Sequence, residues 1–596
     1  KEGAGEALWV IPKNTYYETN LTASKSEKKL IFSSWRAVPQ AVSICGSAYI
    51  EGKLLSRGSK NISSKLNLSY SVSKGSKSKW SHSFVTFHPW NFFAQISLID
   101  LRGSPTSLKV IKDRIRSILA KEGVQETTRK IGGRSSTLDL DIIVEFLSMY
   151  EPKIVHHLDF DSIKKSDLTI KIQAEDSEDK SNRDDFKRQI NFLKKSLGSR
   201  KRVFRMTHDE IDYLVELAIA GPGVVAMRSL RGLFDFHPEK IDNIYGKNNQ
   251  KTEDGKILTK TYSNILWFSH VVSRSYFAST SSSLVITSWS KQKNSGRVGD
   301  WHRVLRYSVE NHFQQVMDEY FFLISSDNFE DYGNRSESYQ AHGKIKNLLL
   351  QISSALSVRT TSPQLKTRTK LATAGKENVR RHYIQAYVES SGNEEENGVK
   401  KEHLRDAFNS PFWPFVLVTT SVGQEGLDFH RYCRDIVHWN LPSSGVAFEQ
   451  REGRIQRYMC KSVRDSILSH ISWKKLIESP GAKKYRWNPW PAVMDIAHLE
   501  VASNKKSLKG LRPYWSFQDS NGVEARIRRM LYCHPFSKEA LRYEGLKESL
   551  ILYRLALGQP RHSDFLEKLS IQLRNSSDKD KKLELIRELN LDLRPK

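Results

Sequence analysis

Two segments of this chain combine residue types and spacings suited to phosphate chemistry. In Glu449-Gln450-Arg451-Glu452-Gly453-Arg454-Ile455-Gln456-Arg457, the residues Gln450, Arg454 and Arg457 stand at i, i+4 and i+7. On a helix that spacing sets one amide and two guanidiniums on a single face, with Gly453 leaving room for close approach beside them. Two guanidinium forks converging on one point need an anion, and their planar donors match phosphate oxygens. Upstream lies Thr419-Thr420-Ser421-Val422-Gly423-Gln424-Glu425-Gly426-Leu427-Asp428-Phe429-His430, directly after an apolar run. Small hydroxyl residues and glycines at the carboxyl end of a strand expose amides and hydroxyls where α/β sheets bind ligands. An ordinary amphipathic helix pairing its arginines with surface carboxylates accounts for the 449–457 segment alone, but not for both in this order.

These segments need elements to hold them. Phe415-Val416-Leu417-Val418-Thr419-Thr420 and Ile436-Val437-His438-Trp439-Asn440 read as strands of a parallel sheet covered on both faces. After them, Ser443 or Ser444 is placed to cap a helix from about 446 to 458. Near the start, Lys28-Lys29-Leu30-Ile31-Phe32-Ser33-Ser34 reads as a strand entering a turn, followed by a helix over Val38–Ile44 with Pro39 in its first turn. The middle of the chain reads as mostly helical. Thr207-His208-Asp209-Glu210 is a capping box ahead of a stripe of Ile211, Leu214, Val215, Ala218 and Ile219, ended by Gly221-Pro222-Gly223. The spacing of Trp301, Leu305, Val309, His312, Val316, Tyr320 and Leu323 predicts one long helix after Asp300, with His312 in its core stripe. In the tail, Ser537 caps a predicted helix whose stripe is Leu546, Leu550, Tyr553 and Leu557, closed by Gly558.

Composition narrows the partners. The 596 residues carry 94 Lys+Arg against 67 Asp+Glu, a net charge of +27, with 38% hydrophobic and 10% aromatic residues. Such a chain can bury several cores, roughly three to five domains by length. Mean hydropathy is −0.54, and no window approaches the about 18 unbroken apolar residues of a membrane span. A soluble, cytoplasmic protein with no membrane partner is expected, and the opening at Lys1 suggests a piece of a longer one. The sequence pI near 9.6 favours a polyanionic partner. Residues 49–82, with Lys53, Arg57, Lys60, Lys65, Lys74, Lys77 and Lys79 opposed by Glu51 alone, read as a solvated loop within reach of phosphates. Cys45, Cys433, Cys460 and Cys533 fit no zinc spacing, so no metal ligands are expected. The acidic stretch around Glu178-Asp179-Lys180 and Asp184-Asp185-Phe186-Lys187 reads as exposed surface rather than a nuclease centre, and His342-Gly343-Lys344 lacks the later Asp of a phospholipase-D-type motif. No aromatic spacing identifies a base-stacking platform.

Taken together, Gln450-Arg451-x-Gly453-Arg454-x-x-Arg457 resembles motif VI of superfamily 2 helicases and translocases. Ser421 to Asp428 resembles motif V, and Leu30-Ile31-Phe32-Ser33-Ser34-Trp35 resembles motif IV. The phrasing from Phe408-Asn409-Ser410-Pro411-Phe412-Trp413-Pro414 through Val437-His438-Trp439-Asn440-Leu441-Pro442 to Arg457-Tyr458 is similar to bacterial Swi/Snf–RapA-like helicase proteins, some of which belong to anti-phage defence operons. The resemblance implies an α/β fold: a RecA-like parallel-sheet lobe interrupted by a large, mainly helical insertion and followed by a helical C-terminal region. It places residues 1–48 and 376–475 in the lobe, 49–375 in the insertion and 476–596 in the tail. It implies ATP as cofactor, with Arg454 and Arg457 facing the γ-phosphate and Arg457 as arginine finger. Gln450, Gly426 and Gly453 would line the nucleotide site and Asp428 would hold the ribose hydroxyls. Ser33, Ser34, Thr420 and Ser421 would contact the nucleic-acid backbone.

Two departures qualify the resemblance. The sequence contains no G-x-x-x-x-G-K-[ST] loop and no convincing acidic box, so the first RecA-like lobe, which would bring Mg2+, is expected elsewhere in the full-length polypeptide. Motifs IV and V are also separated by several times the length of a lobe connection. The leading expectation is the second lobe of an ATP-dependent DNA helicase or translocase, inactive alone, with defence-system proteins as further partners. DNA rather than RNA rests on the resemblance alone. The alternative is a nucleic-acid-binding scaffold that kept the lobe and lost catalysis.

Overall fold

Strand formation starts at Lys28–Phe32 (β1), where burial alternates: Lys28, Leu30 and Phe32 are buried and Lys29 and Ile31 less so. In the computed structural model, the described residues are 7–19, 26–58, 65–72, 78–102, 107–128, 138–158, 178–198, 203–239, 253–292, 299–327, 337–356, 364–366, 376–378, 382–388, 401–420, 427–479, 485–503, 513–517, 526–532, 534, 537–555, 562–575, 580, 581 and 584. Among them the further strands are β2 (Val124–Glu126), β3 (Phe204–Met206), β4 (Gln364–Lys366), β5 (Lys376–Asn378), β6 (Ile384–Tyr387), β7 (Val416–Thr419), β8 (Cys433–His438) and β9 (Arg528–Leu531). Five of them form one all-parallel sheet in the order β6-β7-β1-β8-β9. Strand β1 is central, with Leu30 opposite Leu417 on one side and Ile436 on the other.

Both faces of this sheet are covered, as a parallel sheet requires. On one face Leu30, Phe32, Leu417 and Ile436 pack with Leu404, Phe408, Phe429 and Ile455. Residues of the other parity, Ile31 and Val418, belong to the large helical core. Lys28 is wholly buried at the start of β1. Its Nζ donates to the carbonyls of Ala407 and Phe408, at 3.1 and 3.0 Å, at the C-terminus of the Lys401–Phe408 helix. A cation there meets the negative end of the helix dipole and the carbonyls left over by the last turn; burial still pushes its pKa well down.

The α/β architecture with extensive helix matches the expectation in outline, and several elements differ in detail. The helix after β1 runs from Ala37 to Gly58 and packs on β6, so the first part of the Ser/Lys-rich stretch is helical; beyond it Leu66, Leu68, Tyr70 and Trp80 are buried. In the acidic stretch, the Glu178–Ser196 helix buries Phe186 and Ile190, and Asp185 pairs with Arg188 at 2.9 Å. The capping box forms: Thr207 Oγ1 accepts from Glu210 N at 3.3 Å and Glu210 Oε2 from Thr207 N at 2.7 Å. The His208–Ala220 and Pro222–Phe234 helices follow, bent by 42° at Gly221. Gly223 lets the second helix approach the Phe87–His88 backbone, since a Cβ there would lie 2.2 Å from Phe87 O. No single described helix is long and apolar enough to cross a membrane.

The long helix predicted after Asp300 is two helices, Asp300–Glu310 and Phe313–Asp327, broken where His312 takes φ 57°. His312 is buried against Tyr17, at 4.8 Å between rings. The N-terminal segment causes the break to matter: Tyr17 OH donates to Val309 O at 2.6 Å and Trp9 Nε1 to Asn311 O at 2.8 Å. Residues 7–17 therefore belong to the helical body rather than to the sheet. The tail also departs from an all-helical reading, because β9 adds a strand to the sheet edge. Its arginines hold it there: Arg528 binds both carboxylate oxygens of Asp435, at 2.6 and 2.8 Å, and Arg529 pairs with Glu452. Leu557 and Gly558 lie outside the described residues; Leu546 and Leu550 of the Glu539–Leu555 helix pack on Leu441 and Phe448.

The helical body and the sheet are joined by charge as well as by apolar packing. Arg464 Nε donates to Glu319 Oε1 at 2.7 Å, both side chains essentially inaccessible, and Nη1 and Nη2 donate to the Met459 and Arg431 carbonyls. Beside it Asp318 accepts from Tyr16 OH, Ser229 Oγ and Gln314 Nε2, at 2.9, 2.6 and 2.8 Å. Burial raises its pKa to about 7 against the pull of those donors.

Glu319→Ala leaves Arg464 buried without its counter-ion, and chemical denaturation should show a loss of about 3–5 kcal/mol. Asp318 contributes a pH dependence of definite sign. An acid whose folded pKa is raised holds its proton more tightly folded than unfolded, so its contribution to stability falls as pH rises from about 4 to about 7. The gap between wild type and Asp318→Asn should change over that window in the direction that favours the variant at higher pH; a gap constant from pH 4 to 8 contradicts the assignment.

Candidate functional site

The site lies where the parallel strands end. Backbone bonds carry the register past the last ladder residues: Ser33 N donates to Thr419 O at 3.0 Å and Trp439 N to Phe32 O at 2.9 Å. The turn after β1 is closed by Ser34 N donating to Asn440 Oδ1 at 2.8 Å and Trp35 N to Ser33 Oγ at 3.0 Å. Ser33 is thus buried and engaged in the turn, whereas Ser34 is exposed. Thr420 is half-buried at the end of β7; Ser421 and Gly426 lie outside the described residues.

The helix after β8 is shorter than its spacing implies. Ser444 caps it, Oγ accepting from Ala447 N at 3.2 Å, and it ends at Gly453. Arg454 is its C-cap and Arg457 lies beyond it, so the i+7 alignment with the exposed Gln450 does not form. A Cβ on Gly453 would meet nothing within 4 Å, which leaves the space beside Arg454 open. The two arginines come together by another route. Phe429 N donates to Arg454 O at 2.8 Å, and Arg454 Nη1 donates to Leu427 O at 3.2 Å. Next to them Arg457 Nε sits 3.0 Å from Asp428 Oδ1, with the side chains 40% and 47% exposed. Neither atom makes a hydrogen bond of good geometry, so the contact is one of charge alone. Arg454 and Arg457 therefore reach consecutive residues of the loop that follows β7.

Arg451, which the periodicity does not single out, is the most deeply buried arginine of the segment, 2% exposed against 9% for Arg454. It lies 5.3 Å from the Phe32 ring, and Nη1 donates to Asn440 O at 3.0 Å. Burial lowers its pKa to about 10. Asn409 is the other residue missed. Its Nδ2 donates to Asp428 O at 2.7 Å, fixing the loop backbone beneath the carboxylate.

Electrostatically the site suits an anion. Burial, followed by Arg431, Arg464 and Arg457, pushes the pKa of His430 down to about 3. Burial is the main reason this histidine stays neutral, and the neighbouring guanidiniums add to it. The backbone after Arg457 is constrained: Met459 takes φ 52°, and its N donates to Tyr514 O at 2.9 Å. A non-glycine residue in the left-handed region costs on the order of 1 kcal/mol, and here it follows directly on Arg457 and Tyr458. No group of three or more His, Cys, Asp or Glu among the described residues is arranged to hold a metal.

No protein-family model, curated protein or solved structure matches the chain.

Arg451 and Arg457 should separate by stability. Arg451→Ala removes a buried stacking and hydrogen-bonding side chain and should cost about 2 kcal/mol. Arg457→Ala removes half of an exposed ion pair and should stay within about 1 kcal/mol of wild type. Denaturation curves of the two variants, side by side, check the distinction.

Proposed function

We propose that this chain is the second motor lobe of an ATP-dependent nucleic-acid translocase of superfamily 2. The observation that carries the reading is the meeting of Arg454, Arg457 and Asp428 on one loop at the carboxyl end of an all-parallel sheet. ATP and Mg2+ would lie between this edge and a first lobe that supplies the phosphate loop. Bound there, ATP supplies the phosphoryl group whose transfer drives motion. This chain's residues do the rest by position and charge. Arg457, held by Asp428 without hydrogen-bond geometry, would be free to exchange that carboxylate for phosphate oxygens as the lobes close. Asp428, its backbone tethered by Asn409, would then be available to the ribose hydroxyls. Arg454, fixed to the Leu427 carbonyl, adds a second positive charge where negative charge develops. Ser34, exposed on a turn that the buried Ser33 closes, and Thr420 would face the nucleic-acid backbone, and DNA is the substrate the motif resemblance favours. On the motif resemblance, Gln450 and Gly453 would complete the nucleotide side. The +27 net charge supports the polyanionic partner. Defence-system proteins are partners on the resemblance alone.

In the polypeptide that carries both lobes, Arg457→Ala should lower ATP turnover on the order of 10³-fold while nucleotide-free DNA binding is retained. Turnover within about tenfold of wild type removes the arginine-finger role. No nucleic-acid-stimulated turnover in the unmutated two-lobe protein favours a binding scaffold that has lost catalysis.

A further inference from the structure

Four rings from three distant parts of the chain meet on the same sheet edge. Trp35 follows β1, Trp439 follows β8, and Tyr532 and His534 follow β9. Because β1, β8 and β9 are neighbours in the sheet, the residues just past their ends emerge side by side; Tyr532 N donates to His438 O at 3.0 Å, as Trp439 N does to Phe32 O. Tyr532 lies flat on Trp439, centroids 4.7 Å apart and planes within 1°. His534 stands edge-on to Tyr532 at 4.6 Å, with Nε2 2.7 Å from the Trp439 carbonyl oxygen, and Trp35 approaches the same imidazole at 5.4 Å.

The rings are pinned yet uncovered. Tyr532 is 47% exposed and Trp35 54%, although burying an aromatic side chain of this size is worth roughly 1.5–3 kcal/mol. A flat aromatic surface held rigidly in water, on a strongly cationic chain, with Arg36 exposed beside Trp35, fits a flat, apolar group carried on a polyanion. An unpaired nucleobase has both properties, and every base has a π-face to offer. A partner helix, by contrast, needs an apolar groove for side chains at several successive turns.

We infer that Trp35 and Tyr532, backed by Trp439 and His534, form a stacking platform for an unpaired base of single-stranded nucleic acid. The inference rests on the nucleic-acid reading above and adds to it the strandedness of the ligand and the residues that sense it. Contact with bases rather than phosphates makes the platform sequence-tolerant but dependent on unpaired bases.

The test titrates the 596-residue chain with fluorescent oligo(dT) and with an abasic deoxyribose-phosphate oligomer of equal length and charge, at one salt concentration. Oligo(dT) should bind on the order of tenfold more tightly. Trp35→Ala and Tyr532→Ala should each remove most of that preference and leave abasic binding unchanged, and Tyr532→Phe should keep it. Circular dichroism of the variants should match wild type, since both rings are on the surface. Equal affinity for the two polymers, or alanine variants that keep the preference, overturns the platform while leaving the motor reading in place. Binding to neither polymer overturns both.

Discussion

Everything at the candidate site depends on the parallel ladder in which β1 sits between β7 and β8. As the central strand β1 pairs on both edges, and both partners come from beyond the helical segments in sequence. Once Leu30 is fixed opposite Leu417 and Ile436, the residues following each strand are fixed as well. A slip of one residue would turn Leu30 and Phe32 away from Phe408 and Phe429. The same slip would separate Ser34 from Asn440 and Trp35 from His534. The chemistry of the edge is thus a by-product of register, and register is set by which of the β1 side chains are apolar.

The excess of positive charge looks different once buried arginines are separated from exposed ones. Lys28, Arg228, Arg231, Arg451 and Arg464 are inside. Arg228 donates to the Phe93 carbonyl and Gln314, Arg231 to Glu239 and Asn91, and Arg464 to Glu319. These cations act as internal ties between elements whose carbonyls or carboxylates would otherwise lack donors. Part of the charge that suggests a polyanionic partner therefore serves the fold. The exposed remainder includes Arg457, 40% exposed beside Asp428.

Features set by neighbours in sequence were legible in the sequence; those set by neighbours in space were not. The capping box at Thr207, the cap at Ser444 and the strands β7 and β8 depend on residues a few positions apart. The break at His312 could not be read, because the apolar stripe runs through it unbroken and the segment bearing Trp9 and Tyr17 lies far away in the chain. Strand β9 was hidden by its charge: Arg528 and Arg529 suit an exposed edge, where basic side chains discourage further pairing. Motif spacing singled out Arg454, Arg457 and Asp428, yet the contacts that bring them together run through the Leu427 carbonyl rather than along a helix. Arg451 stands inside the same motif, and only its burial over Phe32 distinguishes it.

The central place of β1 has a consequence for how the chain is made. Synthesis at roughly 5–20 residues per second puts on the order of 20–80 seconds between the emergence of Phe32 and that of Val416. Throughout that interval Leu30-Ile31-Phe32 has no partner on either edge, and an apolar strand with two open edges invites pairing with other chains. The neighbouring Lys28 and Lys29 act against this: charged in the nascent chain, they repel a second copy, and only on folding does Lys28 give up its water for the carbonyls of Ala407 and Phe408. The lysine that ends buried in the finished sheet is, until then, the gatekeeper of the strand it begins.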